Sequence, residues 1–394
     1  MKIICVILIL AIPQFSIAQP DSVGAKKAKV HETLALQGMY QKGYVFATNS
    51  FVKGNNAEAE KINAFQAFSL KLSTQTLGEK AWEQLYKYPN WGIGLYIGDF
   101  YNPEEIGIPM SIYGFFNAPF VRWKKLSFNY ELGFGLVTNW KSYNPVTNKY
   151  NIAIGARQSF LIDAGLNLQY HLTKKIDLET GFSLTHFSNG SLKYPNKGFN
   201  SIAPKISLKY NFYNRPEFIT QAIPRYSKRN ELAFIAFGGA KNVIFDSVNI
   251  DIREKFEGLY FPVFGVTGIY NRQVSYKSKI GIGMSVSYNG SVNAQVAVDN
   301  NQLEIKDGPF TDKLQLSIFP SYELVANKVS LILQPAFYLY RKKLKNQTPV
   351  FHQQIGLKYQ INDKLFVGIT LRAYYFHISD FIEWNIGYRI TGKR

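Results

Sequence analysis

The sequence predicts an all-β protein: an antiparallel transmembrane barrel of the outer-membrane type, about 14–16 strands, behind a signal peptide. Three observations predict it. Residues 1–18 have the make-up of a secretory signal, with Lys2, an apolar run from Ile3 to Ile12, and the small-residue cleavage site Ser16-Ile17-Ala18. Beyond them no run of ~18 apolar residues would make a membrane helix. Yet 15% of the residues are aromatic, and many segments of roughly 10 residues alternate apolar with polar or glycine, as strands with one face in lipid do.

Taken in order, these segments lie near 34–48, 63–75, 90–99, 108–119, 127–138, 158–171, 175–188 and 200–213. A polar, proline-containing connector runs from Tyr213 to Arg229, and further segments follow near 231–241, 259–272, 277–289, 313–325, 329–341, 351–361, 364–376 and 381–391. This divides the chain into 1–18, the signal; 19–213, a first half; and 214–394, additional barrel strands. Connections alternate between short ones, such as Leu172-Thr173-Lys174, Ala326-Asn327-Lys328 and Asn362-Asp363-Lys364, and long ones at 139–157, 189–199, 242–258 and 290–312. Outer-membrane barrels keep short turns on the periplasmic side and long loops outside. The connection 76–89 breaks this rule, and Gly78 to Tyr86 is expected to form a short helix. Lys174 to Leu184 can also be laid over Ile361 to Leu371, Gly181 on Gly368, which puts Ala373 where His186 lies.

The one cysteine, Cys5, falls in the signal, so the exported chain has no disulfide, metal thiolate or cysteine nucleophile. A net charge of +18 suggests an acidic partner. Export to a membrane argues against nucleic acid and for phosphorylated lipid. Turns such as Arg122-Trp123-Lys124-Lys125 and Arg341-Lys342-Lys343, or a polar lumen, also take up this charge.

One strand carries residues that packing does not call for. Along Ile176, Leu178, Thr180, Phe182 and Leu184 the even row is mainly apolar, while Asp177, Glu179, Gly181, Ser183 and Thr185 form the odd row. Side chains alternate faces with period two, so the apolar row continues to His186 and Ser188. The strand leaves a short turn and ends in a long loop, which puts both residues at the outer leaflet and facing lipid. The next strand has the apolar row Ile202, Pro204, Ile206, Leu208, Tyr210 and Phe212, extended by Asn200. A loop of about ten residues returns Asn200 beside His186. Base, hydroxyl and amide thus share a lipid-facing surface, the composition of a lipid esterase: Ser188 as nucleophile, His186 as base, Asn200 to orient the ring. Oxyanion donors are expected from the backbone near Asn189 and Gly190 or from the Asn196 amide. Lys193 and Lys197 are candidates for lipid phosphates or sugars. The other histidines, His31, His171, His352 and His377, lack metal-ligand spacing, and no metal or cofactor is called for.

The run His186-Phe187-Ser188-Asn189-Gly190 with Pro195-Asn196-Lys197-Gly198-Phe199-Asn200 resembles the signature of the lipid A 3-O-deacylase (PagL), or acyloxyacyl hydrolase, family. Tyr143-Asn144-Pro145 and Asn151-Ile152-Ala153-Ile154-Gly155 resemble loop elements of its Bacteroidetes-type members. The likeness covers roughly 34–213. It implies an eight-stranded barrel from the first half, histidine and serine as base and nucleophile, an oxyanion asparagine at Asn196, and lipid A of lipopolysaccharide in the outer leaflet as substrate. The family has glutamate at the position of Asn200, so slower chemistry is implied here.

Two other readings stay open. Outer-membrane phospholipase A shares the His-Ser-Asn set and Ser-Asn-Gly, but its arginine- and serine-rich stretch ending Trp-Asn-Arg, which supports calcium binding, has no counterpart in Tyr194 to Ser201. A porin-like barrel with an incidental polar cluster is the non-enzymatic reading.

Overall fold

A computed structural model describes residues 33–215, 217–243, 250–256, 258–345, 348–375 and 378–392. The signal segment, Cys5, His31 and His377 lie outside them. Sixteen strands appear among the described residues. The first eight are β1 (Leu34–Val45), β2 (Ala64–Gln75), β3 (Asn90–Asp99), β4 (Gly107–Arg122), β5 (Leu126–Trp140), β6 (Ser159–His171), β7 (Ile176–Ser188) and β8 (Phe199–Asn211). The second eight are β9 (Arg229–Asn242), β10 (Tyr260–Gln273), β11 (Ser278–Asn289), β12 (Leu314–Ala326), β13 (Val329–Tyr340), β14 (Phe351–Gln360), β15 (Leu365–Tyr374) and β16 (Ile378–Thr391). Every neighbour pair is antiparallel.

The strands do not form one wall. β1 closes on β8 through pairs such as Leu36 with Tyr210 and Tyr40 with Ile206. β9 closes on β16 through pairs such as Phe234 with Tyr388. The chain therefore holds two closed eight-stranded barrels, joined by the connector after β8. At eight strands an interior is just wide enough for side chains to fill, and both lumens are filled. In the first, Glu131 accepts from Lys71 at 2.6 Å and from Lys205 at 3.2 Å, all three side chains almost fully buried. In the second, Glu323 pairs with Lys358, and Lys279 donates to Glu231 at 2.7 Å. These inward lysines thus neutralise buried carboxylates, since an unpaired buried charge would be costly.

Outward rows are apolar and exposed, as in Phe182, Leu184, Ile206 and Leu208 of the first barrel and Phe264, Val266, Ile282 and Ile386 of the second. Water would penalise so large an apolar belt; a bilayer would not. None of the helices among the described residues is long and apolar enough to cross a membrane.

The irregular connection after β2 holds α1 (Ala81–Leu85), and its length has a tertiary reason. Tyr88 stacks on Phe218 of the connector at 4.3 Å, and Ile219 donates its amide to the Leu77 carbonyl at 2.7 Å. Tyr86 donates its hydroxyl to the Val325 carbonyl of the second barrel at 2.9 Å, under the Lys277 ammonium at 4.4 Å. The segment is a bracket between barrels. Two of the long connections contain α2 (Ile250–Phe256) and α3 (Val292–Asp299). They pack through Ile252, Phe256, Ala294 and Ala297 against Phe261, a tertiary contact that stabilises helices too short to persist alone.

Candidate active site

The site forms at the long-loop end of the β7–β8 hairpin. The register sets His186 opposite Asn200, Phe187 opposite Phe199 and Leu184 opposite Ile202. The inward members are locked: Phe187 and Phe199 are fully buried. Trp140 lies parallel on Phe199 at 5.6 Å and edge-on to Phe187 at 5.3 Å, with Phe100 against both. Truncating one such ring costs about 3–5 kcal/mol. This aromatic plug holds the two strand ends still, so the outward residues inherit a fixed geometry.

Of those outward residues, His186, Ser188 and Asn200 are half-buried. His186 Nδ1 lies 2.7 Å from Asn200 Oδ1. An amide oxygen only accepts, so Nδ1 carries the proton and Nε2 is left with a lone pair. The amide is itself oriented, with Asn200 Nδ2 at 3.4 Å from Thr48 Oγ1. Ser188 Oγ accepts from two donors, the Gly190 amide at 3.0 Å and Asn196 Nδ2 at 3.0 Å. Neither bond uses the serine's own proton, which stays available to a base. Both donors would favour negative charge at this position.

The loop 189–198 divides the predicted donors by role. The Asn189 amide points to Asn196 Oδ1 at 2.9 Å rather than to Ser188. That contact sets which end of the Asn196 amide faces the serine. Gly190 adopts a left-handed φ of +63°, as does Ser191 at the same value; this tight reversal turns the Gly190 N–H back to Ser188. Asn189 Nδ2 donates to the Lys193 carbonyl at 2.6 Å and braces the loop. Lys193 and Lys197 present exposed side chains on its outside. Burial pushes the Tyr194 phenol up, so it stays neutral. Asp177 and Glu179, on the opposite parity, are buried in the lumen; His171 Nδ1 sits 2.7 Å from Asp177. His352 lies buried in the second barrel beside Tyr338.

Sequence reasoning gave no role to Gly198. Its φ is +71°, and a Cβ there would stand 2.8 Å from the Phe187 carbonyl and 3.2 Å from His186 Cε1. Only glycine lets the chain pass this close to the ring. Its amide donates to the Ala153 carbonyl at 2.9 Å, and its carbonyl accepts from Asn49 at 3.0 Å. The loop carrying Ala153 is pinned by fully buried Asn151, which donates to Glu105 and Lys141 carbonyls at 2.9 and 2.8 Å. The signal for Gly198 was its place two residues before Asn200. Nothing local marked Thr48 or Asn49. Among the described residues no group of three or more His, Cys, Asp or Glu could hold a metal ion.

Comparisons with known proteins place the chain in a family. Residues 66–210, within the first barrel, match the family model of lipid A 3-O-deacylase (PagL). Residues 230–393, the second barrel, match the model of the acyloxyacyl hydrolase C-terminal domain. Among solved structures, the chain is similar to the outer membrane enzyme PagL at 16% identity, over 43% of this chain and 97% of that one, with a TM-score of 0.28. It is also similar to the outer membrane protein Omp33 of Acinetobacter baumannii at 8% identity, over 91% of this chain and 98% of that one, with a TM-score of 0.16. No curated protein matches the chain. The two family models together cover both barrels, and the chain belongs to the lipid A 3-O-deacylase (PagL) and acyloxyacyl hydrolase family, as an outer-membrane β-barrel hydrolase acting on lipid A.

Proposed function

We propose that this protein removes an ester-linked 3-hydroxyacyl chain from lipid A by a serine esterase mechanism, with Ser188 as nucleophile. The observation that carries the reading is the set of three polar contacts on one outward face: His186 Nδ1 to Asn200 at 2.7 Å, and Gly190 N–H and Asn196 Nδ2 on Ser188 Oγ at 3.0 Å each. Ser188 Oγ attacks the ester carbonyl while His186 Nε2 takes the hydroxyl proton. The carbonyl oxygen of the tetrahedral intermediate gains the negative charge, stabilised by the Gly190 N–H and the Asn196 amide. Collapse breaks the bond to the sugar oxygen, which leaves with the proton from His186. Water, deprotonated by the same ring, then attacks the acyl-serine; the bond to Ser188 Oγ breaks, the ring returns its proton to that oxygen, and the fatty acid is released. Asn200 holds the ring and its tautomer but brings no negative charge to the imidazolium. The outward parity of the site suits a substrate that diffuses laterally in the outer leaflet, and exposed Lys193 and Lys197 suit its phosphates.

The filled lumens argue against the porin-like reading, because charged networks and an aromatic plug occupy the interior of the first barrel. The deciding experiment incubates the refolded protein with purified lipid A without calcium and follows products by mass spectrometry. Release of one hydroxyacyl chain is expected, and Ser188→Ala should lower it by about 10⁴–10⁶-fold. Equal release by Ser188→Ala overturns the nucleophile. Release only from phospholipid with calcium would favour the phospholipase reading.

A further inference from the structure

We infer that the second barrel completes the active site of the first: Ser379 is a positioning residue for the Asn196 amide, and Ile382 with Leu371 walls the site at Gly190. This rests on the serine mechanism proposed above. The outer row of β16 reads Ile382, Trp384, Ile386, Tyr388 and Ile390. The last four are 41–55% exposed, as lipid-facing residues should be, whereas Ile382 is 4% exposed. What covers it is the site loop. A Cβ on Gly190 would stand 2.5 Å from Ile382 Cδ1 and 3.8 Å from Leu371 Cδ1. Three residues earlier on the same strand, Ser379 meets the loop by polar contacts. Ser191 Oγ donates to the Ser379 carbonyl at 2.7 Å and pairs with its hydroxyl. Asn196 Nδ2, the atom bonded to Ser188, also reaches Ser379 Oγ at 3.4 Å.

The strand is built to hold this position. The β15–β16 register shifts at Arg372/Ala373, so that Arg372 faces Phe381 and Ala373 faces Ser379. Asp380 is the extra residue of this bulge, which re-aims its neighbours. It is buried and tied to Lys241 at 2.5 Å and to the Tyr374 hydroxyl at 3.1 Å. One residue anchors the strand inside its own barrel while the preceding one reaches the other barrel. The overlay of the two halves sets Ala373 on His186, and Ser379 is the register partner of Ala373 as Asn200 is of His186. The hairpin end that bears the triad in the first barrel thus bears, in the second, the surface that docks on it.

The docking has two consequences for the reaction. Ser379 and Ser188 hold one Asn196 amide between them, so the oxyanion donor is fixed before substrate arrives. The apolar wall of Ile382 and Leu371 closes the approach over Gly190, so an acyl chain must enter from the open face of β7 and β8.

The test uses the full-length protein in detergent micelles with lipid A. Ser379→Ala should lower kcat by about three- to tenfold, the range of one hydrogen bond, with KM unchanged; Ser379→Thr, which keeps the hydroxyl, should restore it. Unchanged kcat in Ser379→Ala, alongside loss in Ser188→Ala, overturns the proposal and leaves the serine mechanism standing. Unchanged turnover in Ser188→Ala overturns both. Independently, a Ser191→Cys/Ser379→Cys double variant should form an internal crosslink in native membranes, seen as a shifted band without reductant. Its absence in correctly folded protein would overturn the docking itself.

Discussion

At the long-loop end of β7 and β8, the first barrel sets His186 opposite Asn200, with Phe187, Phe199 and Trp140 packed beneath. At the same end of β15 and β16, the second barrel sets Ala373 opposite Ser379, and beneath lie ion pairs, Arg372 on Glu383 at 2.6 Å and Lys241 on Asp380 at 2.5 Å. Strand number, direction and a lumen of lysine-clamped glutamates are common to both. The difference teaches that the barrel wall is a frame. On the proposed mechanism, chemistry depends on a few outward side chains at one rim and on how firmly the inward neighbours hold them. A rigid aromatic layer suits a site that must keep fixed geometry; a polar layer suffices for a surface that docks.

The largest test of this comparison sets one histidine against another. His186→Ala should lower deacylation by about 10⁴–10⁶-fold, whereas His352→Gln, in the second barrel, should leave kcat within about twofold of the parent. A comparable loss in both variants would break the assignment of chemistry to the first barrel alone. Next in size, Asn196→Ala should cost about 10²–10³ in kcat, the value of one oxyanion donor; single-turnover kinetics would show the loss in acylation. The smallest effect is a gain. Asn200→Asp keeps the shape of the side chain and adds a charge to the bond with His186 Nδ1, which should raise kcat about fivefold. A decrease would mean that the neutral amide is needed here, and that the departure from glutamate is an adaptation.

Much of this was legible from residues alone. The alternation from Ile176 to Ser188 and from Asn200 to Phe212 put base, hydroxyl and amide on one outward face, because a strand's period of two is local and survives any tertiary arrangement. Short and long connections gave the end of the strand, and a ten-residue loop gave the neighbour. The strand boundaries near β7, β8 and β13 lie within two residues of those observed. The inward turn of Asp177 and Glu179 followed from the same parity.

Other features were decided only in three dimensions. A wall strand reads the same in a barrel of eight or of sixteen, since parity does not say which edges meet; closure of β1 on β8 and of β9 on β16 is a pairing between distant segments. The helices α2 and α3 exist because each covers the other. The Asn189 amide turned from Ser188 to Asn196 because a left-handed Gly190 gave that place to its own N–H. Ile382 looked like any lipid-facing residue of its row, and Ser379 like any strand-end serine. Their meeting with Gly190, Ser191 and Asn196 spans nearly half the chain. Periodicity, turn length and residue chemistry determined the strands and the polar groups on their outward face, since these are properties of a few neighbouring residues. Which surfaces touch was set by the tertiary structure, since contact between distant segments depends on the whole path of the chain between them.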